Sequence, residues 1–480
     1  MVDRYEGRLE LTWTNKHLRL LAHEDGSYEW VPPSDYRVAE VRLLHDVATV
    51  GKVGKVRAAD NLLIRGDALN ALTSLAQLPE FASEYLGKVK LAYLDPPFNT
   101  QQSFLHYDDA LEHSVWLTMI RDRLLQICHL LAPDGSVWLH ADDSEAHRVR
   151  CVLDEVFGPE QFVATIVWEK DKGRRNDTDI SSVHDYIIVY TKNRDSWKGT
   201  RNLVPRSEAQ LQRYRNPDDD PRGRWLQGDN GTAKSGSEAS RWPITTPSGR
   251  VVVPPSGRYW AFSKDTFSRA LSEGRVYFGK KGDGFPIIKS YLSEVQQGVV
   301  PRTWWSADET GFNQEAKRDH LNKLFPGVNP FATPKPERLL QRIVQIASNP
   351  GDIVLDCFAG SGTTAAVAHK MSRRWVAIER EALTINTFTV PRLTMVVAGD
   401  EAGGITESVD WRGGGGFRVL EVAPSMFEAD GGLVFLADWM ANGTLAEATA
   451  AQLGFTYEFD PPFSGRLSRS SWNLRRRSPA

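Results

Sequence analysis

The sequence predicts an α/β protein in which short buried strands alternate with amphipathic helices. Apolar runs at residues 62–64 and 89–94 are each followed closely by an acidic residue, and leucines between them recur at helical spacing. A third apolar run, at residues 353–355, leads into a glycine-rich turn of the kind that binds nucleotides. Together these observations indicate a doubly wound sheet with a ligand site at the carboxyl edge of its strands.

The elements before residue 195 follow from hydrophobic periodicity. The helix after the first strand is lined by Leu69, Leu72, Leu75 and Leu78. A second helix is predicted from Leu117, Ile120, Leu124, Ile127 and Leu131. Pro133-Asp134-Gly135 then turns the chain into a strand at 136–140. Apolar runs at 162–168 and 185–191 predict two more strands.

The tetrapeptide Asp95-Pro96-Pro97-Phe98 directly follows the strand at 89–94. Each proline fixes φ and removes an N–H, and a residue before proline is held extended, so this segment is stiff. The Asp95 carboxylate and the Pro96 carbonyl can each accept one hydrogen from an aromatic NH2 group, while Phe98 stacks on the ring. The pattern therefore indicates chemistry at an exocyclic amino group. The alternative is a turn in which Asp95 caps backbone amides.

The glycine-rich turn at 357–362 does not have the residues that bind phosphate. It lacks the lysine of a P-loop, and Ala365 stands where a dinucleotide fingerprint has its third glycine. Asp356, at the end of the preceding strand, would repel a pyrophosphate but would pair with the cationic amino end of S-adenosylmethionine. The loop therefore predicts S-adenosylmethionine as the cofactor.

Glu379 ends the next apolar run, at 375–378. Its distance from the loop is close to the interval of about 20 residues expected for an acid that binds ribose hydroxyls. The alternative is that the glycines only permit close packing of helix and strand, and that Glu379 is solvated.

Taken together, the motifs resemble those of DNA amino-methyltransferases of the permuted (β) class, in which the catalytic motif precedes the cofactor motif. Within that class the chain is similar to the modification subunit of type III restriction-modification systems. The resemblance rests on residues 95–98, on Phe331-Ala332-Thr333-Pro334-Lys335-Pro336-Glu337-Arg338 and on residues 356–364, and it spans roughly residues 60–390. Phe98 stands where tyrosine is commoner in the family, and it keeps the stacking face.

The resemblance implies a Rossmann-like, S-adenosylmethionine-dependent methyltransferase sheet that is circularly permuted, with an inserted target-recognition domain and a small C-terminal module. The strands at 162–168 and 185–191 are then expected to form the hairpin edge typical of this sheet. Because the motif begins with aspartate, the resemblance favours adenine N6 over cytosine N4. Cytosine-N4 methylation remains an alternative, as does a DNA-specificity subunit that is active only with a partner.

The resemblance also implies the roles of individual residues. The predicted catalytic residues are Asp95, Pro96, Pro97 and Phe98. The predicted cofactor-binding residues are Asp67, Thr333, Lys335, Asp356, Phe358, Gly360, Gly362 and Glu379. Thr333 and Lys335 are assigned to the carboxylate of the cofactor and Asp67 to the neighbourhood of its adenine. The alternatives are a helix N-cap for Asp67 and a solvated lysine at a helix start for Lys335.

The expected mechanism is the flipping of a target adenine out of double-stranded DNA into a pocket between Phe98 and the cofactor. An in-line transfer of the sulfonium methyl group to N6 follows, with the amine oriented by Asp95. Asp95 need not be a strong base, because the nitrogen becomes acidic once it is methylated.

A formal net charge of −3 means that any contact with DNA must come from local basic patches. Between residues 194 and 258 arginines recur with aromatic residues, as in a nucleic-acid-binding insert. The predicted DNA-binding residues are Arg213, Arg215, Arg222, Arg224 and Arg241. Asp218-Asp219-Asp220 lies among them, and the alternative is a packed structural insert.

Five regions are predicted along the chain: an N-terminal extension (1–57), a catalytic part (58–194), a target-recognition insert (195–330), a cofactor part (331–390) and a C-terminal module with a basic tail (391–480). The C-terminal module is expected to contain a strand at 417–422. A second copy of the catalytic tetrapeptide, Asp460-Pro461-Pro462-Phe463, precedes no apolar helix and is interpreted as a turn.

Composition sets further expectations. The 480 residues are 41% apolar, contain no run long enough to span a membrane and begin without the apolar stretch of a signal peptide. Three cysteines without metal-binding spacing suit a reducing cytoplasm and no metal site. The chain lacks a Walker lysine motif and a nuclease signature, so restriction would need a separate nuclease or helicase subunit. A homodimer is expected from the resemblance alone.

Overall fold

The computed structural model describes residues 10–22, 28–98, 102–104, 107–109, 112–173, 179–228, 231–430, 433–440, 443–458 and 466–468. The chain divides into two compact units. The first, which we call the sheet unit, comprises Met1–Asn202 and Arg302–Ala480. The second, the insert unit, comprises Leu203–Pro301. Among the helices of the described ranges, none is both long and apolar enough to cross a membrane.

The sheet unit contains one large mixed sheet, in which the described residues form ten strands. In chain order these are β1 (Leu44–Gly51), β2 (Asn61–Arg65), β3 (Val89–Leu94), β4 (Leu131–Ala141), β5 (Phe162–Glu169), β6 (His184–Thr191), β7 (Trp304–Trp305), β8 (Ile353–Asp356), β9 (Arg374–Glu379) and β10 (Gly416–Val422). Their order across the sheet is β7-β5-β6-β4-β3-β8-β9-β2-β10-β1. The run from β4 to β10 in that order is parallel. Strands β5 and β6 form an antiparallel hairpin, and β1 is antiparallel to β10.

The position of β8 confirms the predicted permuted sheet. This strand comes late in the chain, yet it pairs in parallel with β3, with Leu355 opposite Ala92. Both strands are buried, as parallel strands covered on both faces must be. Because parallel strands end at the same edge, the segment after Leu94 and the loop after Asp356 lie side by side.

Helices cover this sheet in two groups. The first group is α1 (Ala68–Gln77), α2 (His113–Leu130) and α3 (Ala146–Phe157), which pack against one another. The second is α4 (Glu337–Ala347), α5 (Thr363–Lys370) and α6 (Val390–Ala398). Helix α4 begins after Pro336, whose missing N–H costs nothing at a helix start. Helix α5 begins after Gly362, which has a φ of 79° that favours glycine.

The predicted strands and helices before residue 195 are confirmed, with one difference. The predicted turn at 133–135 lies inside strand β4, where the pairing with β3 passes from Leu131 opposite Val89 to Ser136 opposite Leu91. A strand at 417–422 is also confirmed, as part of β10. It differs from the prediction in its surroundings, because it lies in the large sheet between β2 and β1.

Shorter elements complete the sheet unit. Its further strands are Arg19–Ala22, Tyr28–Val31, Gln102–Phe104, Tyr107–Asp109, Phe427–Asp430, Leu433–Leu436, Thr456–Glu458 and Arg466–Ser468. Its further helices include Tyr36–Ala39, Pro79–Tyr85, Arg194–Thr200, Ala307–Thr310, Asn322–Leu324, Ala382–Thr384 and Gly443–Gln452, and π-helical turns occur at Glu315–Leu321 and Ile385–Thr389.

The insert unit has a small core of its own, formed by Ile244, Val252, Trp260, Phe267 and Phe278. Its strands are Trp225–Gln227, Thr232–Ala233, Ile244–Thr245, Val251–Val252, Tyr259–Trp260, Val276–Tyr277 and Ile287–Tyr291, and its helices are Glu208–Leu211 and Lys264–Ser272.

Candidate active site

A cavity of about 620 Å³ lies at the carboxyl edge of the parallel strands. Its lining includes the residues after β2, β3, β8 and β9, together with the segment that leads into α4. The predicted residues that line it are Asp67, Asp95, Pro96, Pro97, Phe98, Thr333, Lys335, Asp356, Phe358, Gly360 and Glu379. Gly362 is not part of the lining; it starts α5 and lies against Thr389.

The two carboxylate oxygens of Asp95 have different surroundings. Oδ2 is 2.7 Å from the ammonium nitrogen of Lys335. Oδ1 is buried and has no hydrogen-bond partner among the described residues. Behind the tetrapeptide, the indole N–H of Trp116 donates to the Pro97 carbonyl at 2.6 Å. Within the described chain Asp95 caps no backbone amide, so it keeps one buried acceptor oxygen in the cavity.

Phe98 is supported from behind by a buried polar network. Its ring stacks on the imidazole of His140, with 5.5 Å between the ring centroids. The Tyr93 hydroxyl is 2.9 Å from His140 Nδ1, and Asp185 Oδ2 is 3.3 Å from Nε2. Lys170 donates to the other Asp185 oxygen at 2.6 Å. This network packs against Phe98, which lines the cavity.

The pKa of Asp185 shows how strongly this network is charged. Burial raises this pKa, but the hydrogen bond and electrostatic interaction with His140 and the positive charge of Lys170 outweigh burial and lower it to about 2. Asp185 is therefore ionised at neutral pH and is already paired with its own neighbours.

Asp67 is the helix N-cap of the alternative interpretation and also lines the cavity, while its predicted place near the cofactor adenine stays a prediction. Its Oδ1 accepts a hydrogen bond from the Leu69 amide at 2.8 Å, which makes it the N-cap of α1. Its Oδ2 accepts from Arg123 at 2.8 Å, and the Arg123 guanidinium lies 5.7 Å from the centroid of the Phe358 ring. The side chain thus caps a helix and lines the cavity at the same time.

Asp356 is a buried carboxyl beneath the glycine loop. Its Oδ1 accepts a hydrogen bond from the Phe358 amide at 2.9 Å. Burial, together with the negative charges of Asp95 and Glu379, raises its pKa to about 7, although the hydrogen bonds from Thr364 and Phe358 lower it. A cation bound at this position would therefore find a carboxyl that becomes charged near neutral pH.

Glu379 holds the glycine loop from the next strand. Its carboxylate accepts hydrogen bonds from the backbone amides of Gly360, Arg380 and Glu381, at 2.7 to 2.9 Å. Burial raises its pKa. It is half-buried, not solvated as in the alternative interpretation. Oε1 accepts two of these hydrogen bonds and Oε2 accepts one, so Oε2 has capacity for a further hydrogen, and the predicted contact with ribose hydroxyls stays a prediction.

Several lining residues were not singled out from the sequence, among them Tyr93, Arg123, Lys170, Asp185 and Asn313. Arg123 did carry a signal, because it stands on the buried face of α2 beside Leu124, where a charged side chain requires a partner. Asp185 stood likewise in a predicted strand whose other residues are mostly apolar. The remaining residues carry no pattern that marks them.

A cluster of buried charges lies behind the glycine loop and joins α4, α5 and α6. Glu337 accepts hydrogen bonds from Lys370 and Arg392, each at 2.8 Å. Arg392 also donates to Glu401 at 2.9 Å and to the hydroxyl of Thr363, a lining residue, at 2.8 Å. Together with His320, the two glutamates form a group that could hold a metal ion, but Lys370 and Arg392 already balance their charges.

The predicted DNA-binding arginines of the insert unit fall into two groups. Arg213, Arg215 and Arg224 are exposed. The guanidinium of Arg222 pairs with Asp220 at 3.0 Å and donates to the carbonyls of Glu273 and Gly274.

Arg241 belongs with Arg222, since it donates to the carbonyls of Pro254, Pro255 and Arg258. The acidic run Asp218-Asp219-Asp220 also has a structural role, because Asp220 is buried and accepts hydrogen bonds from Lys289 and Tyr291. The side chains of Arg222 and Arg241 therefore hold the insert unit together.

The second tetrapeptide, Asp460–Phe463, lies outside the described residues.

A family model decides the relationship that the site suggests: the model described as DNA methylase, N6_N4_Mtase, matches residues 89–389. The chain belongs to this family. The matched range contains the tetrapeptide after β3, the insert unit and the glycine loop after β8. In this DNA methylase family member the tetrapeptide therefore precedes the glycine loop along the chain, although β3 and β8 are neighbours in the sheet.

Individual relatives agree with the family. The DNA methylase chain is 32% identical over 337 residues to the type III restriction-modification enzyme StyLTI Mod subunit of Salmonella typhimurium, a match that covers 64% of this chain and 49% of that protein. It is 27% identical over 431 residues to the EcoP15I Mod subunit of Escherichia coli, covering 76% and 62%. The chain thus spans about half to three fifths of the length of these relatives.

Among solved structures, the chain is similar to the PvuII DNA methyltransferase (cytosine-N4-specific), at 15% identity and a TM-score of 0.37. That match covers 70% of this chain and 88% of the PvuII chain. A score at this level does not establish a common fold, and the fold assignment rests on the sheet order.

Proposed function

We propose that this chain is a site-specific DNA methyltransferase that transfers a methyl group from S-adenosylmethionine to adenine N6 in double-stranded DNA, within a restriction-modification or phage-defence system. The observation that carries the proposal is Oδ1 of Asp95, which is buried and has no hydrogen-bond partner within the described ranges, in a cavity that Pro96 also lines. Family membership and the relationship to Mod subunits support the same chemistry.

The acceptor side of the cavity fits an aromatic amine. Two acceptors on a stiff backbone, Asp95 Oδ1 and the Pro96 carbonyl, suit the two hydrogens of an NH2 group. When both hydrogens are held, the nitrogen lone pair is drawn out of conjugation with the ring and points toward an electrophile. Phe98, held by His140, provides a flat face for the flipped base.

The other side of the cavity fits a cationic cofactor. Asp67, Asp356 and Glu379 give this part of the lining an acidic character, which favours a ligand that carries an ammonium and a sulfonium group. We assign these residues, with Phe358, Gly360, Gly362 and Thr333, to S-adenosylmethionine. When bound, the cofactor supplies an electrophilic methyl group, whose bond to sulfur breaks as its bond to the amino nitrogen forms.

The methylated nitrogen then carries one proton too many, and this proton leaves to Asp95 Oδ1 or to water. Asp95 need not be a strong base, because an aryl ammonium nitrogen is acidic. Positioning and hydrogen-bond acceptance supply most of the rate acceleration in this mechanism. No covalent intermediate with the protein is required.

Partners follow from the same proposal. The exposed Arg213, Arg215 and Arg224 are proposed to contact DNA. The relatives are Mod subunits of restriction-modification enzymes, which supports a separate restriction subunit as partner. A cytoplasmic location is proposed with this function. We further propose a homodimer, which rests on the resemblance to the type III family.

The test is to incubate the purified chain with S-adenosylmethionine and unmodified bacterial genomic DNA, followed by long-read modification sequencing. We expect N6-methyladenine at one short motif, with no signal from Asp95→Ala. Calorimetry should show that Asp95→Ala still binds S-adenosylmethionine.

Asp460→Ala is the matched control, because it changes the first residue of the second copy of the tetrapeptide and should leave methylation intact. N4-methylcytosine in place of N6-methyladenine would establish the alternative base. Methylation by Asp95→Ala would refute the assigned role of Asp95. Absence of any modification would favour a specificity subunit that needs its partner.

A further inference from the structure

Two stiff segments that are far apart in the chain meet in the cavity. One is Asp95 followed by Pro96 and Pro97; the other is Lys335 between Pro334 and Pro336. Lys335, like Asp95, precedes a proline and is therefore held extended. The Lys335 ammonium and Asp95 Oδ2 are 2.7 Å apart, so an ion pair joins the two segments.

Lys335 is a buried lysine, not the solvated lysine of the alternative interpretation. Its relative exposure is 8%, and its ammonium lies 4.9 Å from the centroid of the Phe98 ring. The charge of Lys335 also acts on Asp185, but that carboxylate is already paired with Lys170 and His140. The charge of Lys335 is therefore available to Asp95.

We propose that Lys335 is a positioning residue for the methyl acceptor, and that it acts by binding Asp95 Oδ2 so that Oδ1 alone faces the amine. This inference rests on the proposed methyltransferase function. It replaces the sequence-based prediction that Lys335 binds the carboxylate of the cofactor. The same ammonium lies over Phe98, so Lys335 contacts both residues that are proposed to hold the base.

The ion pair has two consequences for the reaction. Without Lys335 the Asp95 carboxylate is free to rotate, and its charge lies unbalanced near Asp356, whose pKa it already raises. With Lys335 bound, one oxygen is held and the other keeps a fixed direction.

The two roles for Lys335 predict opposite results for Lys335→Met. If Lys335 is a cofactor ligand, Lys335→Met should weaken the binding of S-adenosylmethionine and leave the rate at saturation unchanged. If Lys335 is a positioning residue, Lys335→Met should lower the rate of a single turnover on genomic DNA at saturating cofactor by about 10- to 100-fold. In that case the dissociation constant of the variant for S-adenosylmethionine, measured by calorimetry on the full chain, should differ from that of the wild-type chain by less than about threefold.

Two further variants sharpen the comparison. Lys335→Arg keeps the charge and should recover part of the rate, while its different geometry prevents full recovery. Lys90→Met is the matched control: Lys90 is a partly buried lysine on β3 that pairs with Asp134 outside the cavity lining, and its loss should leave the single-turnover rate unchanged.

A double-mutant cycle tests the pair without any turnover. Lys335→Met alone leaves a partly buried carboxylate without its cation and should lower the Tm. Combining Lys335→Met with Asp95→Asn should bring the Tm most of the way back to that of the wild-type chain, because neither charge remains. Additive Tm changes would contradict the ion pair and overturn the inference.

The outcomes also separate this inference from the proposed function. If the wild-type chain methylates DNA and Lys335→Met does so at the same rate, the inference alone fails. If Lys335→Met loses cofactor affinity but keeps the rate at saturation, Lys335 is a cofactor ligand and the inference is again refuted. If the wild-type chain transfers no methyl group, the proposed function fails and the inference falls with it.

Discussion

At the scale of single residues, Asp356 makes the cofactor site sensitive to pH. Burial raises its pKa to about 7, well above that of an exposed aspartate. Between the two pKa values the folded state keeps a proton that the unfolded chain has released. This group therefore stabilises the fold at acidic pH, and its contribution disappears as the pH rises through 7.

The first prediction concerns Asp356→Asn. In the wild-type chain we expect the affinity for S-adenosylmethionine to increase from pH 5.5 to 7.5, because Asp356 becomes charged and pairs with the cationic ligand. In Asp356→Asn the affinity should be lower at pH 7.5 and nearly independent of pH. Calorimetry across this range measures both effects. Asp410→Asn, at an exposed position, is the control, and an equal pH dependence in Asp356→Asn would contradict the assignment.

A second prediction separates the arginines of the insert unit. Arg224→Ala and Arg213→Ala remove exposed charges and should each weaken DNA binding, with the salt dependence of the binding constant falling by about one unit of slope. Arg222→Ala should instead destabilise the insert unit, because its guanidinium holds Asp220 and two carbonyl groups. DNA-binding titrations at several salt concentrations, with thermal unfolding beside them, distinguish the two effects. Equal salt slopes for Arg222→Ala and Arg224→Ala would contradict this division.

Which residues line the cavity was largely predictable, whereas their partners were not. Asp95 and Asp356 were found because each ends a strand beside a segment with restricted or unusual backbone conformation. The pairing of Asp95 with Lys335 depends on how distant segments meet in space, and no local pattern encodes it. Nor does the spacing of Arg222 and Arg224, which are both exposed, reveal that the guanidinium of Arg222 is held by Asp220 and two carbonyl groups.

At the scale of elements, the buried charges of Glu337, Lys370, Arg392 and Glu401 join three helices behind the glycine loop. All four side chains are at most 2% exposed. Removing one member of such a set leaves a buried charge without compensation. Because Arg392 also binds the Thr363 hydroxyl, the first turn of α5 depends on the same cluster.

The third prediction is that Arg392→Met lowers the free energy of unfolding by about 3–5 kcal/mol. Urea unfolding followed by circular dichroism measures the change. Arg318→Met is the control, since Arg318 forms an exposed pair with Asp319 and its loss should leave the free energy of unfolding nearly unchanged. A loss below 1 kcal/mol for Arg392→Met would mean that the cluster does not hold the helices.

Most elements could be predicted because their apolar residues recur with a clear period. Helices α1 and α2 are examples, with leucine or isoleucine at spacings of three and four. The place of β10 could not be predicted, because a short apolar strand shows that it is buried but not which strands it pairs with. The π-helical turns at Glu315–Leu321 and Ile385–Thr389 likewise have no sequence signal that distinguishes them from α-helix.

At the scale of the whole molecule, each unit has its own core. The core of the sheet unit takes its buried residues from positions 20–190 and 353–451, whereas that of the insert unit lies between 244 and 278. Near the two ends of the insert unit, Val204 and Val299 exchange backbone hydrogen bonds at 2.8 and 3.0 Å. The chain therefore leaves and re-enters the sheet unit over a short distance.

From this we predict that a linker of about four residues can replace Leu203–Pro301 without unfolding the sheet unit. The shortened chain should bind S-adenosylmethionine with the affinity of the full chain and lose motif-specific methylation. Calorimetry and modification sequencing measure the two properties. Retained methylation at the same motif would remove the insert unit from target recognition, and a folded variant without cofactor affinity would show that the cavity depends on the insert.

The permuted order of the sheet also has a consequence for synthesis on the ribosome. Strand β2 leaves the ribosome early, but its neighbours β9 and β10 follow only about 300 residues later. At 5–20 residues per second, roughly 15 to 60 s pass before the apolar Leu62, Leu63 and Ile64 meet their partners. During that time an unpaired hydrophobic strand is open to aggregation, so we expect the nascent chain to depend on chaperones more than a methyltransferase whose cofactor strands are made together.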